Sequence, residues 1–344
     1  MRPAPALASG LLPNPVVSDI ATASGLPRFT VARGAAAAVR SARSLTGSAL
    51  GASLRRIVRT PAGLRAVNHL HRRLGPAARR RFYYLCYDET CLVEGPWTVE
   101  FGGRRLVLPL HRRFRMAWIA AIAFHGHDPE LHHFYEAAVS GLQPPRVFFD
   151  VGASYGLHSL KLLAHGVHVV SFEPNPACHP FFIACCERNG LRPELHAAAV
   201  GARSGTVELA IPGDRTYLGT VADEVKDAWC GRLDVTTRLV PQVTLDAFAE
   251  ERQLVPDLVK IDVEGNELAV LEGARGLLDR VRPVVLLESW PGGRGRTALF
   301  LSLASHGYRL QPLVFPPAPR APLSLSAFLE SPTINFVASP VPRQ

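Results

Sequence analysis

The chain has 344 residues, of which 47% are hydrophobic and 19% are charged. This composition is typical of a globular protein with a substantial core, and it excludes an intrinsically disordered chain. The net charge of +9 is due almost entirely to arginine, since only three of the 38 basic residues are lysine. No apolar run reaches the roughly 18 residues of a membrane span and no signal-peptide pattern is visible, so we expect a cytoplasmic protein without a transmembrane segment.

Residues 1–60 are rich in Pro, Ala, Ser and Gly and have weak periodicity, which predicts a flexible segment with one short helix. No acidic residue lies between Asp19 and Asp88, whereas arginine recurs up to the run Arg79–Arg81. Such a segment is typical of a solvated basic arm, of a surface that contacts an anionic membrane or nucleic acid, or of an Arg-rich transit peptide. We favour the solvated arm.

Residues 61–125 are predicted to form an extension that contains a helix and a β-hairpin. Thr60 and Pro61 are typical of a helix start, apolar residues follow at helical spacing up to Leu74, and Gly75-Pro76 is expected to end the helix. Apolar and polar residues alternate on both sides of Gly102-Gly103, which is typical of a hairpin with a two-residue turn.

Residues 126–344 are predicted to form one α/β domain, because short apolar runs alternate with helical segments. The first helix is expected to start at Asp128-Pro129. The predicted strands are Val147–Val151, Val167–Phe172, Leu195–Val200, Leu258–Val263 and Val284–Leu287, and the predicted helices are Leu157–Ala164, Ala177–Asn189, Leu245–Arg252 and Leu268–Leu278. Two further strands, Tyr308–Val314 and Thr333–Ala338, are expected to close the sheet as an antiparallel pair.

The loop after the first of these strands reads D-V-G-A-S-Y-G, from Asp150 to Gly156. A dinucleotide-binding loop needs G-x-G-x-x-G and a P-loop needs G-K-[ST], and this loop has neither pattern. Gly152 and Gly156 are expected to let a ligand without phosphate approach the backbone of this loop. Asp150 would favour a positively charged ligand. The alternative is that the loop is a tight turn that binds no ligand. Glu173, which ends the next strand, could accept hydrogen bonds from ribose hydroxyls or could balance a helix dipole.

Three motifs that follow one another in the chain resemble the FkbM family of S-adenosylmethionine-dependent methyltransferases. They are D-V-G-A-S-Y-G, F-E-P-N-P around Glu173, and K-I-D-V-E-G from Lys260 to Gly265. The resemblance covers about residues 125–340 and departs at Ser154, where the family usually has Asn. It implies a class I methyltransferase fold, which is Rossmann-like and has a mostly parallel seven-stranded sheet with helices on both faces; the helical and hairpin extension lies outside the resemblance.

The resemblance also implies what individual residues do. Asp262 and Glu264 would be catalytic in O-methylation of a hydroxyl group on a small-molecule or saccharide acceptor, such as a sugar, glycan or natural product. Six other residues would bind S-adenosyl-L-methionine, namely Asp150, Gly152, Ser154, Tyr155, Gly156 and Glu173.

The chemistry of the acceptor hydroxyl limits the role of Asp262. An alcohol resembling water has a pKa near ~15.7 and aspartate has one near ~3.9, so transfer of a resting hydroxyl proton to Asp262 would cost about 16 kcal/mol. The proton therefore leaves in concert with methyl transfer, or a divalent metal ion held by Asp262 and Glu264 lowers the pKa of the hydroxyl. We favour the metal-free route, and the structural alternative is that both acids only occupy the sheet rim and a helix start.

Several other residues carry weaker signals. His158 could be a base or part of a helix face, and Lys260 is predicted to pair with a neighbouring acid. The segment before the first strand of the domain contains His125, His127, His132 and His133 with Asp128 and Glu130. Its histidines lack the i, i+4 spacing of helical metal sites, so we predict no metal there, and the segment could instead line the acceptor pocket.

The six cysteines form no C-x-x-C pair, and we predict buried, reduced thiols at Cys86, Cys91, Cys178, Cys185, Cys186 and Cys230.

Two other functions remain open at this stage. The basic charge is compatible with a nucleic-acid methyltransferase, but the amino-methylating signature D/N-P-P-Y/F is absent, because Asn175-Pro176 continues into Ala177. We therefore expect no nucleic-acid partner. Ser154 and the unusual N-terminus are compatible with a cofactor-binding or interaction protein that has lost turnover.

Overall fold

The computed structural model describes residues 49–213, 218–229, 233–293 and 295–342. The predicted arm up to residue 48 and Cys230 lie outside the described residues. The other five cysteines are buried thiols, as predicted.

Within the described residues, three helices and a hairpin precede the main sheet: α1 Ala49–Val58, α2 Pro61–His71, α3 Pro76–Cys86, β1 Gly95–Phe101 and β2 Arg104–Leu110. The start of α2 is confirmed, because the Thr60 side chain accepts a hydrogen bond from the Gly63 N–H. The hairpin across Gly102-Gly103 is also confirmed. Gly75-Pro76 follows the end of α2, as predicted, and Pro76 also begins α3. The fixed φ of proline and its missing N–H suit the first turn of a helix.

Two helices lead from the hairpin to the sheet, α4 Ala117–Gly126 and α5 Pro129–Ser140. Almost every residue of α4 is buried, so it lacks the polar face that would have made it recognisable as a helix in the sequence. The start of α5 at Asp128-Pro129 is confirmed. In the described part of the chain, no helix is long and apolar enough to cross a membrane.

The remaining strands and helices alternate as predicted, except that β5, β6 and β7 follow one another without a helix between them. Their bounds are β3 Val147–Val151, α6 Leu157–Leu163, β4 His168–Phe172, α7 His179–Arg188, β5 Glu194–His196, β6 Ala199–Val200, β7 Gly205–Pro212, α8 Asp223–Trp229, β8 Val235–Val243, α9 Leu245–Arg252, β9 Leu258–Ile261, α10 Glu267–Glu272, β10 Val284–Glu288, α11 Arg296–Ser305, β11 Tyr308–Pro312, α12 Leu325–Glu330 and β12 Asn335–Pro340. The predicted helix Leu268–Leu278 is shorter in the structure: α10 ends at Glu272, and a π-helical turn follows at Leu277–Val281.

Seven strands form the main sheet in the order β11-β12-β10-β9-β3-β4-β5. The five strands from β10 to β5 are parallel, and β12 is antiparallel to both of its neighbours. This arrangement confirms the predicted mostly parallel seven-stranded sheet, which the last two strands close as an antiparallel pair. It brings the carboxyl ends of β3, β4, β9 and β10 to one edge.

The predicted strand Leu195–Val200 is wrong as a single element. The Ala198 N–H donates to the His196 carbonyl in a turn, so the chain leaves the main sheet after β5 and enters a second sheet of order β6-β8-β7. The segment 211–240, for which no strand or helix was predicted, contains the end of β7, α8 and the start of β8. Most of β8 is exposed, which explains why its polar sequence resembles a loop.

The core is divided between the two faces of the main sheet. Phe148 packs with the residues of α2 to α4, the hairpin, α6 and α7, whereas Phe149 faces α9, α11 and α12. Neighbouring residues of β3 therefore point to opposite faces, as the pleat of a strand requires. Helices thus cover both faces of the sheet, as predicted, and the extension shares its core with the sheet. The domain boundaries at residues 60 and 125 remain predictions.

Candidate active site

A cavity of about 210 Å³ opens at the carboxyl ends of β3, β4, β9 and β10. This is the edge at which open α/β sheets bind ligands. The residues that follow these strands line it, including Gly152, Ser154, Glu173, Asp262 and Glu264.

The loop after β3 is shaped by backbone in the left-handed region, with φ of 78° at Gly152 and 73° at Gly156. A Cβ atom on Gly152 would lie 1.8 Å from the carbonyl oxygen of Asp262, and one on Gly156 would lie 2.1 Å from the ring of Phe182. Contacts inside the protein therefore already require both glycines. A ligand in the cavity could approach Gly152, which lines the cavity, but not Gly156, which does not line it.

Ser154 also has left-handed backbone, with a φ of 48°. Its N–H points at the next strand end and donates to Glu173 Oε2 at 2.7 Å. Asn is among the few residues that adopt this backbone readily, whereas Ser does so less often. The position at which the sequence departs from the FkbM pattern is thus one where the backbone itself favours Asn.

Glu173 is 7% exposed and is held on both sides by backbone amides. Oε2 accepts from Ser154, and Oε1 accepts from the Asn175 N–H at 2.7 Å. Burial raises the pKa of Glu173 to about 7, although the two amide hydrogen bonds act to lower it. Each carboxylate oxygen can accept more than one hydrogen bond, so acceptor capacity remains for a ligand in the cavity.

Asp150 lies behind the cavity and not at its mouth, since it is fully buried and is not a lining residue. Its Oδ2 accepts from Ser159 Oγ at 2.6 Å, and its Oδ1 lies 3.6 Å from Lys260 Nζ. Asp150 therefore fixes the base of the loop, and direct binding of the cofactor by Asp150 remains a prediction.

Lys260 connects Asp150 to the catalytic candidates. Its Nζ lies 3.1 Å from Asp262 Oδ2 and donates to the Gly152 carbonyl at 3.3 Å. Burial acts to lower the pKa of Lys260, but the carboxylates of Asp262 and Asp150 outweigh it and hold that pKa above its ordinary value. The predicted pairing of Lys260 with a neighbouring acid is confirmed.

Asp262, Glu264 and Glu288 place carboxylate oxygens within 4.8 Å of one another. Burial, together with the charges of Asp262 and Glu267, raises the pKa of Glu264 to about 8. Burial and the charges of Asp262 and Glu264 also raise the pKa of Glu288 well above its ordinary value, and Trp290 Nε1 donates to Glu288 Oε2 at 3.1 Å. Carboxylate oxygens suit a hard divalent cation, but Asp262 is already paired with Lys260, which also pairs with Asp150.

Residues 150–310 match the family model described as the Methyltransferase FkbM domain. This match confirms the resemblance to the FkbM family that the three motifs indicate.

Solved structures similar to the chain include three methyltransferases. Methyltransferase FkbM from Methylobacillus flagellatus KT is 17% identical, with 66% of this chain and 54% of that chain covered and a TM-score of 0.36. Precorrin-6y C5,15-methyltransferase from Geobacter metallireducens GS-15 is 14% identical, with coverages of 60% and 89% and a TM-score of 0.33. The 16S rRNA N2 G1207 methyltransferase RsmC from T. thermophilus is 13% identical, with coverages of 72% and 50% and a TM-score of 0.37.

The chain spans about half the length of the FkbM structure from Methylobacillus flagellatus. At these identities and TM-scores the likenesses do not bear on function. No curated protein sequence matches the chain.

Part of the cavity lining lies outside the matched FkbM residues. α3 and the residues after it contribute Tyr83 and Tyr87, and α4 contributes apolar residues such as Ile119 and Ala123. This wall is aromatic and apolar, in contrast to the acids of the FkbM domain. Sequence reasoning missed it because α3 and α4 were not recognised as helices.

The four histidines before the FkbM domain do not share one site, although the rings of His125 and His132 lie 4.7 Å apart, centroid to centroid. His125 is buried in the core, His132 lies 3.3 Å from Glu136, and His133 is exposed. His127 lines the cavity, and its Nδ1 lies 2.8 Å from Asp128 Oδ2. His127 and Asp128 therefore line the cavity, and their contact with an acceptor remains a prediction; the pairing of the two side chains was not foreseen.

Proposed function

We propose that the protein is an S-adenosylmethionine-dependent O-methyltransferase that acts on a hydroxyl group of a sugar, glycan or natural product. The observation that carries this proposal is the Glu173 carboxylate, held by the amides of Ser154 and Asn175 at the end of β4 and facing the cavity beside the glycine loop. The FkbM match supports it.

The chemistry of the cavity fits this cofactor. Glu173 retains lone pairs for ribose hydroxyls, and the acids at the sheet edge favour a sulfonium cation over the phosphates of a dinucleotide. Gly152, Ser154, Tyr155 and Glu173 line the cavity and would contact the cofactor. Asp150 and Gly156 do not line the cavity, and they would support cofactor binding by fixing the conformation of the loop after β3.

When bound, S-adenosylmethionine supplies a methyl group that is activated by its sulfonium. Asp262 and Glu264 would lie beside the acceptor hydroxyl, since both line the cavity. With a pKa of about 8, Glu264 is mostly protonated at neutral pH and would donate to an acceptor oxygen. Asp262 would accept a hydrogen bond from the acceptor, and its ion pair with Lys260 fixes its position. The aromatic and apolar residues of α3 and α4 would face the body of the acceptor and orient it, which favours an acceptor with an apolar face.

A thermal-shift experiment tests the cofactor. We expect S-adenosylhomocysteine at about 100 times its Kd to stabilise the protein by about 2.7 kcal/mol, and NAD to leave Tm unchanged. Stabilisation by NAD alone would contradict the proposal.

Transfer of label from [methyl-³H]S-adenosylmethionine tests the reaction. We expect label in the small-molecule or saccharide fraction of a cell extract, in a form stable to mild alkali, as an ether is. Label in nucleic acid, or in an alkali-labile ester, would contradict O-methylation of a hydroxyl. Binding of S-adenosylhomocysteine without transfer to any fraction would indicate the cofactor-binding protein without turnover.

A further inference from the structure

His127 and Asp128 form an acid–imidazole pair at the junction between α4 and α5. The Nδ1 atom of His127 lies 2.8 Å from Asp128 Oδ2, and both side chains line the cavity that contains Glu173 and Asp262. The His127 side chain is 29% exposed and the Asp128 side chain 15% exposed. The pair is therefore partly desolvated but accessible from the cavity.

The protein fixes the Asp128 carboxylate in an uncommon conformation. Asp128 has a φ of 42°, and its side chain does not cap α5, although it precedes the helix. Instead, Asn335 on β12 donates to Asp128 Oδ1 at 3.3 Å and to Glu130 Oε1 at 2.9 Å. A left-handed backbone and a partner from a distant strand thus hold the carboxylate toward His127 and away from the helix N-terminus.

We propose that His127, oriented by Asp128, is the base that accepts the proton of the acceptor hydroxyl. This inference rests on the proposed function. Asp128 accepts the hydrogen bond of Nδ1–H, which selects the tautomer whose Nε2 carries a lone pair. As the acceptor O–H bond breaks, its proton goes to Nε2, its electron pair forms the new bond from oxygen to the methyl carbon, and the C–S bonding pair stays on sulfur.

His127 is better suited to this role than the two other candidates. The pKa gap between an alcohol and an ordinary histidine is about nine units, against about twelve for an aspartate, and Asp262 is already bound by Lys260. Burial lowers the pKa of His158 well below its ordinary value, and the charges of Lys260 and Lys161 lower it further, so the imidazolium of His158 would be disfavoured.

The surroundings of His127 stabilise its imidazolium. Burial acts to lower the pKa of His127, but the charge and hydrogen bond of Asp128 outweigh it with help from Glu130 and Asp262, so this pKa is raised. On the α3 side, the ring of Tyr83 lies 5.5 Å from the imidazole, centroid to centroid. Burial acts to raise the pKa of Asp128, but the charge and hydrogen bond of His127 outweigh it with help from Lys260 and Lys161, so this pKa is lowered.

The first test is independent of turnover. In ¹⁵N-histidine NMR spectra of the full chain, the signal lost in His127→Gln identifies His127. We expect a neutral Nδ1–H tautomer with an unprotonated Nε2 and a pKa above the ordinary value of histidine. His111, which is exposed and does not line the cavity, provides the comparison signal. Asp128→Asn, which keeps a residue that tolerates the left-handed backbone, should lower this pKa. An Nε2–H tautomer in the unmodified protein, or an unchanged pKa in Asp128→Asn, would overturn the proposal.

The second test measures [methyl-³H] transfer from S-adenosylmethionine, held at saturation at every pH, to the small-molecule fraction of a cell extract between pH 5.5 and 9. Transfer by the unmodified protein should rise with pH through the pKa of His127, because only the neutral imidazole accepts a proton. His127→Gln should lose about 10²-fold or more of the rate and lose this rise. Asp128→Asn should shift the rise to lower pH, and the control His111→Gln should behave like the unmodified protein.

The outcomes separate the two proposals. If the unmodified protein transfers methyl groups and His127→Gln retains its rate within twofold, the base role is wrong and the proposed function stands. If the unmodified protein neither binds S-adenosylhomocysteine nor transfers a methyl group, both the proposed function and the base role of His127 are contradicted. Binding of S-adenosylhomocysteine by His127→Gln, followed by thermal shift, shows that a loss of rate is not a loss of fold.

Discussion

The Lys260 ammonium lies 3.1 Å from the Asp262 carboxylate in a site where the lysine side chain is only 3% exposed. Lys260 is also paired with Asp150 across the strand register, since Asp150 on β3 is directly opposite Lys260 on β9. One buried cation therefore joins the base of the glycine loop to the rim of the cavity. A substitution of Lys260 should therefore lower the stability of the protein and change the positions of the side chains that line the cavity.

We predict that Lys260→Met destabilises the protein by about 3–5 kcal/mol, because it leaves the Asp150 carboxylate buried without a countercharge. Urea denaturation measures this loss. Lys226→Met is a suitable control, since Lys226 pairs with the exposed Asp223 and such pairs contribute only about 0–1 kcal/mol. The double variant Asp150→Asn/Lys260→Met should recover part of the loss. Equal losses in Lys260→Met and Lys226→Met would contradict the buried ion pair.

We predict that Gly152→Ala is far more damaging than Gly166→Ala, although both glycines have a φ of 78°. A Cβ atom at Gly166 meets nothing within 4 Å, so that variant bears only the left-handed backbone cost of about 1–2 kcal/mol. A Cβ atom at Gly152 would meet the backbone carbonyl of Asp262, which cannot move without displacing β9 or the loop. Thermal denaturation of the two variants, with S-adenosylhomocysteine binding by Gly152→Ala, tests this difference; similar Tm values would contradict it.

The sequence was sufficient to predict the framework of the main sheet. β3 and α9 have the predicted bounds, and the other strands of that sheet lie within two residues of their predicted starts, because short apolar runs separated by helical spacing carry a strong signal. The helix α4 escaped prediction because a helix buried on all sides has no polar face. β5 and β6 merged into one predicted strand because a turn of two residues separates them.

The candidate site was predictable only where its residues follow strand ends. Glu173 and Asp262 reach the cavity because parallel strands end at one edge. The contact of Lys260 with Asp150 depends on register, which a sequence does not specify. The His127–Asp128 pair depends on left-handed backbone at Asp128 and on Asn335, which is 207 residues away in the chain. Such contacts become visible only in the folded structure.

We predict that Ser154→Asn stabilises the protein and that Ser154→Ala destabilises it, each by about 0.5–1 kcal/mol. The reason is the φ of 48° at this position, which Asn tolerates better than Ser and which Ala tolerates poorly. The hydrogen bond to Glu173 is made by the backbone N–H and should persist in both variants. Chemical denaturation measures the order of stability, and an order of Ala above Ser above Asn would contradict the backbone explanation.

We predict that Glu173 weakens folding as the pH rises. Its pKa is about 7 in the folded protein and 4.5 ordinarily, so the folded state binds the proton more tightly than the unfolded state does. The resulting stabilisation is fully present below pH 4.5 and is lost as the pH rises to about 7, with a total of about 3 kcal/mol. Other groups also titrate, so the measurement is the difference in unfolding free energy between the unmodified protein and Glu173→Gln. That difference should change by this amount between pH 4.5 and 7.5, and a constant difference would contradict the raised pKa.

The same titration should control cofactor affinity in the opposite direction. As a carboxylate, Glu173 accepts hydrogen bonds from ribose hydroxyls, and protonation removes acceptor capacity from the one side chain that we assign to that contact. Affinity for S-adenosylhomocysteine should therefore be constant above pH 7 and fall by up to tenfold per unit below it, because only the ionised fraction of Glu173 binds well. Isothermal titration calorimetry from pH 5.5 to 8.5 measures this dependence. Glu173→Gln should bind more weakly than the unmodified protein above pH 7 and lose the dependence; a slope that persists in the variant would assign the titration to another group.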